Sequence, residues 1–362
     1  MSEATVVNLF LTARVVLVGG IFLILPRITR KGLLLGAYVG EALADRDVAR
    51  RLLGGWYRGC LMLMALSLSI GLGISLAGWP VAGNLTGTAV LLLGALGLYL
   101  RLYYGARKLA PPYAAQQAER AVAPLSGAEP ASTGLPKLAL GGCLIASIAT
   151  FVYAIVSYEG PWSDQSFILV MFVPSLNLAL SPFLALLALL TANAKRSIRG
   201  GSGGRSVEAQ NAFRAAMTNM FSLAALLICA FMTLLSVQVI RIQLSEIDSF
   251  GVGPLVMAAV VVLFLLGNLI RIMKRYGQGG ALMESGTVEA PLTNGLADNT
   301  HWVWGMFYVD RDDPSIMVEK RFGIGYTLNY GNRTAILIVV SFVALSLSLI
   351  AFALLGTLIG GS

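Results

Sequence analysis

Charged side chains are scarce in this chain. Asp, Glu, Lys and Arg make up only 12% of its 362 residues, against about 25% in ordinary soluble domains. Hydrophobic residues reach 57%, and the mean hydropathy is +0.77. This composition excludes a water-soluble globular protein and predicts an integral membrane protein.

Histidine and cysteine are almost missing as well. The chain has one histidine, His301, and three cysteines, Cys60, Cys143 and Cys229, which are far apart in the sequence. This excludes the common zinc sites and the HExxH helix of metalloproteases. We interpret the cysteines as small packing residues and His301 as a structural hydrogen-bonding group rather than a pH sensor. No nucleophile, base and orienting group occur together, so we expect neither an enzyme nor a cofactor.

Long apolar runs are abundant. Eight are long enough to cross about 30 Å of hydrocarbon as helices, which takes about 20 residues. They cover residues 5–26, 59–78, 88–106, 139–158, 167–192, 215–240, 254–272 and 335–359. The runs are continuous rather than alternating, which favours helices over a β-barrel. The sequence therefore predicts an all-α integral membrane protein: a membrane domain over 1–272, a small β-rich juxtamembrane module over 273–334, and an eighth helix over 335–359.

Basic residues are concentrated in alternate connections. Segments 27–58, 107–138, 193–214 and 273–334 hold 7, 4, 5 and 6 Lys or Arg, whereas the other connections hold only Arg241. Because basic loops stay in the cytoplasm, we expect the four basic connections to be cytoplasmic and both termini to be outside. The net charge of +8 is explained by anionic headgroups, without a nucleic-acid partner. The start, MSEATVV, lacks a basic region, so we expect no cleaved signal peptide.

The cytoplasmic connections differ in composition. Residues 111–136 are rich in Ala, Pro, Ser and Gly and predict a mobile loop with a short helix over 114–121. Residues 196–206 read as a glycine-rich linker. Residues 40–59 are amphipathic, which favours a helix lying on the inner membrane surface, with a solvated connector as the alternative.

The segment HWVWGMFYVDRDDPSIMVEKRFGIGYTLNYGN, residues 301–332, stands out from the apolar runs. Its first residues alternate with a period of two, which predicts a strand over 302–308. Asp312, Asp313 and Pro314 predict a turn, after which IMVEKRF returns as a second strand. A calcium loop starting at Asp310 would need glycine at 315 and glutamate at 321, where the chain has serine and arginine. We expect the module to meet a partner or lipid headgroups. Its candidate residues are Trp302, Trp304, Tyr308, Asp312, Asp313, Lys320, Arg321 and Tyr326.

This segment resembles the C-terminal module of an uncharacterised family of bacterial membrane proteins, with the pattern W..G.FY.NPDDP...V.KRFG.G.TLN.GN. A second family pattern, K...FGV.VGE......R....YR, is matched after the first apolar run by Lys31, Gly36, Glu41 and Arg58, among others. There is a looser likeness to SdpI-type membrane proteins, which implies an immunity or signalling role. The chain departs from that type, because Gly325 and Tyr326 replace an Arg-Thr-Pro element and YEGPWSDQS lacks its histidine.

Polar residues inside apolar runs are functional candidates, because each is costly in the membrane. Arg14 lies near the middle of the first run. Either the spanning helix begins later or Arg14 snorkels outward, or else Arg14 contacts a ligand, lipid or partner subunit. The fifth run contains VPSLNLALSP, whose two prolines predict a broken helix lined by Ser175, Asn177 and Ser181. Small residues at 67, 71 and 75 form a face suited to close helix packing, either within the chain or between subunits.

Three functional hypotheses follow. The first is a non-enzymatic membrane protein that senses, protects or scaffolds through its aromatic and basic module. The second is an accessory subunit of a larger membrane complex. Whether the chain also forms a homo-oligomer is left open by the sequence. The third is a small-molecule transporter with its site at the broken fifth helix. Membrane lipids are expected partners in every case.

Overall fold

The fold is described from a computed structural model, which covers residues 3–29, 32–40, 47–110, 133–160, 165–195, 203–283 and 299–359. Eight long helices account for most of it. They are α1 (Glu3–Ile28), α2 (Asp47–Leu76), α3 (Pro80–Arg107), α4 (Gly134–Ser157), α5 (Gln165–Ala192), α6 (Gly203–Gln243), α7 (Gly253–Tyr276) and α8 (Arg333–Ile359). The predicted short helix over 114–121 and most of the glycine-rich linker lie outside the described residues.

By length and composition, seven helices are apolar enough to cross a membrane, and they correspond to α1 through α7. The C-terminal helix contributes a shorter apolar stretch, Arg333–Ser348, to the residues searched. This agrees with the predicted all-α architecture and suggests a membrane protein. A small set of strands precedes α8, as the sequence predicts.

Helix packing divides the molecule into two groups. The N-terminal bundle is formed by α1, α2 and α3, with its closest pairing between α2 and α3. The C-terminal bundle is built on α4, α5 and α6, and α7 and α8 pack against α6 and α5 respectively. The two bundles are joined by the strand-containing segment that precedes α8.

The small-residue face of α2 packs within the chain. Ser67 donates a hydrogen bond of 2.6 Å to the Gly87 carbonyl on α3. A Cβ added to Gly83 would overlap the carbonyl oxygen of Gly71 and lie 2.8 Å from the amide nitrogen of Ser75. The two backbones therefore touch, which is the close approach that small residues permit between membrane helices.

Two local expectations are corrected. Residues 47–58 are not a separate surface helix, because they form the first turns of α2, which continues without a break to Leu76. The fifth helix is not broken, since α5 runs from Gln165 to Ala192 through Pro174 and Pro182. Each proline removes a single backbone donor, and packing against α4 and α6 keeps the rest of the helix intact.

Six short strands in the described part of the chain form three antiparallel pairs. They are β1 (Leu33–Leu34) with β2 (Ala37–Tyr38), β3 (Trp302–Val303) with β4 (Phe307–Tyr308), and β5 (Met317–Glu319) with β6 (Tyr326–Leu328). The single strand predicted over 302–308 is thus a hairpin. Its turn is at Trp304 and Gly305, where φ is +54° and +68°. The IMVEKRF strand pairs forward with β6 rather than back with 302–308.

Candidate functional site

The segment from residue 299 to residue 332, here called the clasp, is organised around one buried asparagine. Asn329 is fully buried, and its side chain bonds the backbone of Asp310 in both directions at 3.0 and 2.8 Å. It also donates to the Asp313 carbonyl at 3.0 Å. An isolated β-bridge between Tyr308 and Asn329 links the β3–β4 pair to the β5–β6 pair. The loop over 310–313 is therefore held between the pairs by the Asn329 side chain.

The loop places one carboxylate inside the clasp. Asp313 is buried and accepts a 2.6 Å hydrogen bond from Lys195 Nζ, just after α5. Its other oxygen accepts the Ser315 amide at 2.9 Å, which is the predicted turn bond. Burial alone would raise the pKa of Asp313, but the bonds from Lys195 and Ser315 outweigh it and hold the pKa below its usual value.

The second predicted turn residue behaves differently. Asp312 is exposed. Its backbone amide donates a hydrogen bond of 3.0 Å to the side chain of Asp310, so Asp310 caps the turn. The Tyr308 hydroxyl lies 3.1 Å from Asp310 Oδ2 and 3.0 Å from Asp313 Oδ2. Burial and these two carboxylates raise the pKa of Tyr308, so its hydroxyl stays a donor. His301 lies at the edge of this group, with Nε2 3.9 Å from Asp310 Oδ2.

Arg321 is an interior residue, not a headgroup ligand. It is completely buried, and its guanidinium lies 4.9 Å from the ring centre of Trp302, which is also buried. Its Nη1 donates to Asn299 Oδ1 at 2.7 Å. Lys320 is half-buried, and that burial lowers the pKa of its amine. The expectation that these two cations meet lipid phosphates is wrong for Arg321, because its charge is enclosed by the clasp.

Asn299 ties the clasp to the N-terminal bundle. Its side chain accepts from the Tyr38 amide at 3.1 Å and donates to the Tyr38 carbonyl at 3.0 Å, which imitates a strand pairing. Its own carbonyl accepts from Arg107 at the end of α3, at 2.8 Å. The β1–β2 hairpin, the end of α3 and the clasp therefore meet at the buried residue Asn299.

A second contact joins the tips of two hairpins. The Tyr99 hydroxyl on α3 donates 2.8 Å to the Trp304 carbonyl. A Cβ on Gly305 would lie 2.5 Å from the Gly36 carbonyl oxygen, and both glycines have φ above +60°. Only glycine tolerates this conformation and this approach together. The two segments that carry the family resemblance thus touch each other, glycine to glycine.

Phe322 fills the space between these contacts. Its ring lies 5.7 Å from Trp56 on α2 and 4.9 Å from Tyr99 on α3, measured between ring centres. Trp56 also donates to the Phe22 carbonyl of α1 at 2.8 Å. The clasp therefore inserts an aromatic side chain into the core of the N-terminal bundle.

Contacts on the other side reach the C-terminal bundle. Gln278, just after α7, is buried; its amide nitrogen lies 3.2 Å from both the Glu319 carboxylate and the Lys320 carbonyl. Its oxygen accepts from the Gly325 amide at 3.2 Å. The Lys195 amide donates to the Met317 carbonyl at 2.9 Å. Tyr326 lies 6.1 Å from Phe213 of α6, centre to centre.

The eight predicted candidates of the module differ in burial. Trp302, Tyr308, Asp313 and Arg321 are buried, Lys320 and Tyr326 are half-buried, and Trp304 and Asp312 are exposed. Three residues that join the clasp to the bundles were not predicted from the sequence: Asn299, Gln278 and Lys195. No local pattern marks Asn299 or Gln278, whereas Phe322 lies in the quoted KRFG.G motif and was available as a signal.

The polar residues of α5 form a closed network. Asn177 is fully buried; it donates to Thr233 of α6 at 3.1 Å and accepts from Ser181 at 2.6 Å. Thr150 of α4 lies 3.4 Å from the same Thr233 hydroxyl. Ser175 is half-buried and makes no side-chain hydrogen bond within the described residues. The network joins three helices through their own side chains.

Arg14 lies apart from the other candidates. Its Nη2 contacts the Asn84 side chain and lies 3.2 Å from the Asn84 carbonyl, in the second turn of α3. The guanidinium therefore points toward the end of the N-terminal bundle that is opposite the clasp. The three cysteines are buried, as expected for packing residues. Among the described residues, no group of three or more His, Cys, Asp or Glu could hold a metal.

Comparison with known proteins identifies one segment. Residues 311–336 match a family of unknown function, DUF5808. The match covers the second half of the clasp and the start of α8, and it fits the resemblance to an uncharacterised family with a C-terminal domain. No curated protein and no solved structure matches the chain.

Proposed function

We propose that this chain is a non-enzymatic protein of the bacterial inner membrane that spans it eight times and acts in sensing, immunity or scaffolding. Its clasp holds the two helix bundles in one arrangement on the cytoplasmic side, and both termini are outside. Membrane lipids surround it, and a partner membrane subunit or cytoplasmic protein is the expected target. An accessory role in a larger membrane complex is a form of the same proposal.

One observation carries the proposal. Two buried amides join the clasp to different bundles: Asn299 of the clasp bonds the backbone of Tyr38 beside the N-terminal bundle, and Gln278, just after α7 of the C-terminal bundle, accepts from the Gly325 amide of the clasp. Buried hydrogen bonds are directional and costly to leave unmade, so they fix one relative position of the parts they join. A partner that binds the arrangement held by the clasp would bind more weakly once the clasp is released, because a ligand stabilises the state that it binds more tightly.

The clasp is tested by the distance between the bundles. Spin labels are placed at Leu76 and Val252, which are exposed near the ends of α2 and α7 away from the clasp. The background replaces the three buried cysteines with alanine. We expect one narrow distance distribution in the unsubstituted chain and a broader one for Asn299→Ala and for Gln278→Ala. Thr300→Ala, at an exposed neighbour, is the control. If the distance distribution keeps its width in both variants, the clasp does not hold the two bundles in one arrangement.

The partner is tested on the full chain from its own membrane. Gentle extraction followed by native mass spectrometry is expected to show a stoichiometric companion. The companion should be lost or weakened in Asn299→Ala and kept in Thr300→Ala. A lone monomer or homo-oligomer in the unsubstituted sample would contradict the scaffolding role, whatever the state of the clasp.

A further inference from the structure

Two hairpins lie side by side along the last two turns of α3. At their bases, Asn299 bonds both Tyr38 and Arg107, the last residue of α3. At their tips, Trp304 accepts from Tyr99 and Gly305 meets Gly36. Tyr99 precedes Arg107 by two helical turns, or about 12 Å along the axis. The hairpin tips therefore point back along α3, toward the middle of a helix that is long and apolar enough to span a membrane.

The sequence of both hairpins fits that depth. Residues 32–40, GLLLGAYVG, and residues 302–309, WVWGMFYV, contain no charged residue and no histidine. The charges begin next to them, at Lys31 and at Asp310. A charged side chain would be expensive below the headgroups, whereas tryptophan and tyrosine prefer that boundary.

Irregular backbone at membrane depth requires its polar groups to be bonded within the protein. The Trp304 carbonyl at the tip has the Tyr99 hydroxyl, and the Met306 amide donates to the Val303 carbonyl at 3.2 Å. In the first hairpin the Val39 amide donates to the Gly32 carbonyl at 2.9 Å. Backbone groups at the tip of the second hairpin and at the base of the first are thus bonded within the protein, as hydrocarbon surroundings require.

Only one of the hairpins has an outer face. Residues 33–39 are buried, whereas Val303 and Trp304 remain 45% and 41% exposed. The Trp304 ring contacts Phe307, and Phe307 contacts Tyr330, three residues before α8 begins. This aromatic row therefore runs from the C-terminal part of α3 toward the start of α8, two apolar helices.

We propose that the paired hairpins form a re-entrant element that enters the bilayer from the clasp side, with Val303 and Trp304 against lipid at the boundary of headgroups and acyl chains. The occupant of this exposed face is lipid, because its depth along α3 and its lack of charge match that boundary. The proposal concerns how deep the paired hairpins lie in the bilayer. It therefore does not depend on whether the clasp holds the two bundles together.

The experiment measures depth at single labelled positions. The full chain, with its three native cysteines replaced by alanine, carries one nitroxide at position 303 or 304 at the tip, at 300 near the base, or at 312 on the clasp. It is reconstituted in phosphatidylcholine and phosphatidylglycerol vesicles. Power saturation then compares collisions with oxygen, which concentrates in hydrocarbon, and with a water-soluble nickel complex. Thr300 and Asp312 are exposed and serve as controls.

We expect the ratio of oxygen to nickel accessibility to be several-fold higher at 303 and 304 than at 300 and 312. Equal ratios at all four positions would overturn the proposal, since the tip would then be in water. Low accessibility to both reagents at 303 and 304 would also overturn it, because another protein surface and not lipid would cover the tip. Two tip positions are used so that one misfolded variant does not decide the result.

Discussion

Lys195 and Asp313 form an ion pair at the junction of the C-terminal bundle and the clasp, with 2.6 Å between Nζ and Oδ2. The lysine follows the end of α5, and the carboxylate lies in the turn that begins the segment matched by DUF5808. Only 5% of the Asp313 side chain is exposed, against 34% for Lys195. The pair therefore attaches the matched segment to the C-terminal bundle through the buried Asp313 carboxylate.

Removal of this carboxylate should destabilise the clasp. Asp313→Ala leaves the Tyr308 hydroxyl, the Ser315 amide and Lys195 without one partner each. Loss of a buried hydrogen-bonding partner costs about 1–3 kcal/mol, so we expect a clear fall in the thermal midpoint of the detergent-solubilised chain. Asp312→Ala is the matched control, because that side chain is exposed and should change stability by less than about 0.5 kcal/mol. Equal effects would argue against a structural role for the pair.

The same carboxylate predicts a pH dependence. The folded pKa of Asp313 is below its usual value of 3.8, because the bonds from Lys195 and Ser315 outweigh the effect of burial. A depressed carboxyl pKa stabilises the fold above the unfolded pKa, and this contribution is lost as pH falls through the folded pKa. The difference in thermal midpoint between the unsubstituted chain and Asp313→Asn should therefore shrink below about pH 4. A difference that stays constant down to about pH 2 would contradict this assignment.

The glycine contact between the hairpin tips predicts an ordering of two substitutions. Gly305 and Gly40 both have positive φ, at +68° and +82°. Gly40 has nothing within 4 Å of an added Cβ, so Gly40→Ala pays only the backbone cost of about 1–2 kcal/mol. Gly305→Ala adds a contact of 2.5 Å with the Gly36 carbonyl oxygen and should lower the thermal midpoint further. Equal losses in the two variants would mean that the tips do not touch.

The helices could be predicted from sequence because a long apolar run is a local signal. Six of the eight predicted runs lie within one helix, and the runs 59–78 and 139–158 extend past the end of theirs by two residues and one residue. The clasp could not, because its bonds join distant residues: Asn299 and Tyr38 are 261 positions apart. The alternation over 302–308 was misread as one strand because Trp304 adopts a positive φ, which is rare for a bulky residue. Arg321 was placed on the surface because arginine is seldom fully buried. Here the Trp302 ring and the Asn299 amide enclose it.

The hydrogen bonds around Asn177 allow a packing role for this residue to be tested against a ligand-binding role. Its amide is already bonded to Thr233 and Ser181, and such bonds between membrane helices contribute about 0.6 kcal/mol on average and up to about 1.7. We therefore expect Asn177→Leu to lower the thermal midpoint modestly, and Ser175→Ala, at a side chain without a described bond, to leave it unchanged.

A double-mutant cycle with Thr233→Val gives the decisive comparison for that network. The Asn177 and Thr233 substitutions should be less than additive in stability, because each removes the same hydrogen bond. Strict additivity would show that the two side chains do not bond, and would leave the Asn177 amide available for a ligand. The transporter hypothesis would then regain its site, on a continuous helix, and uptake by Asn177→Leu in vesicles would be the quantity to measure.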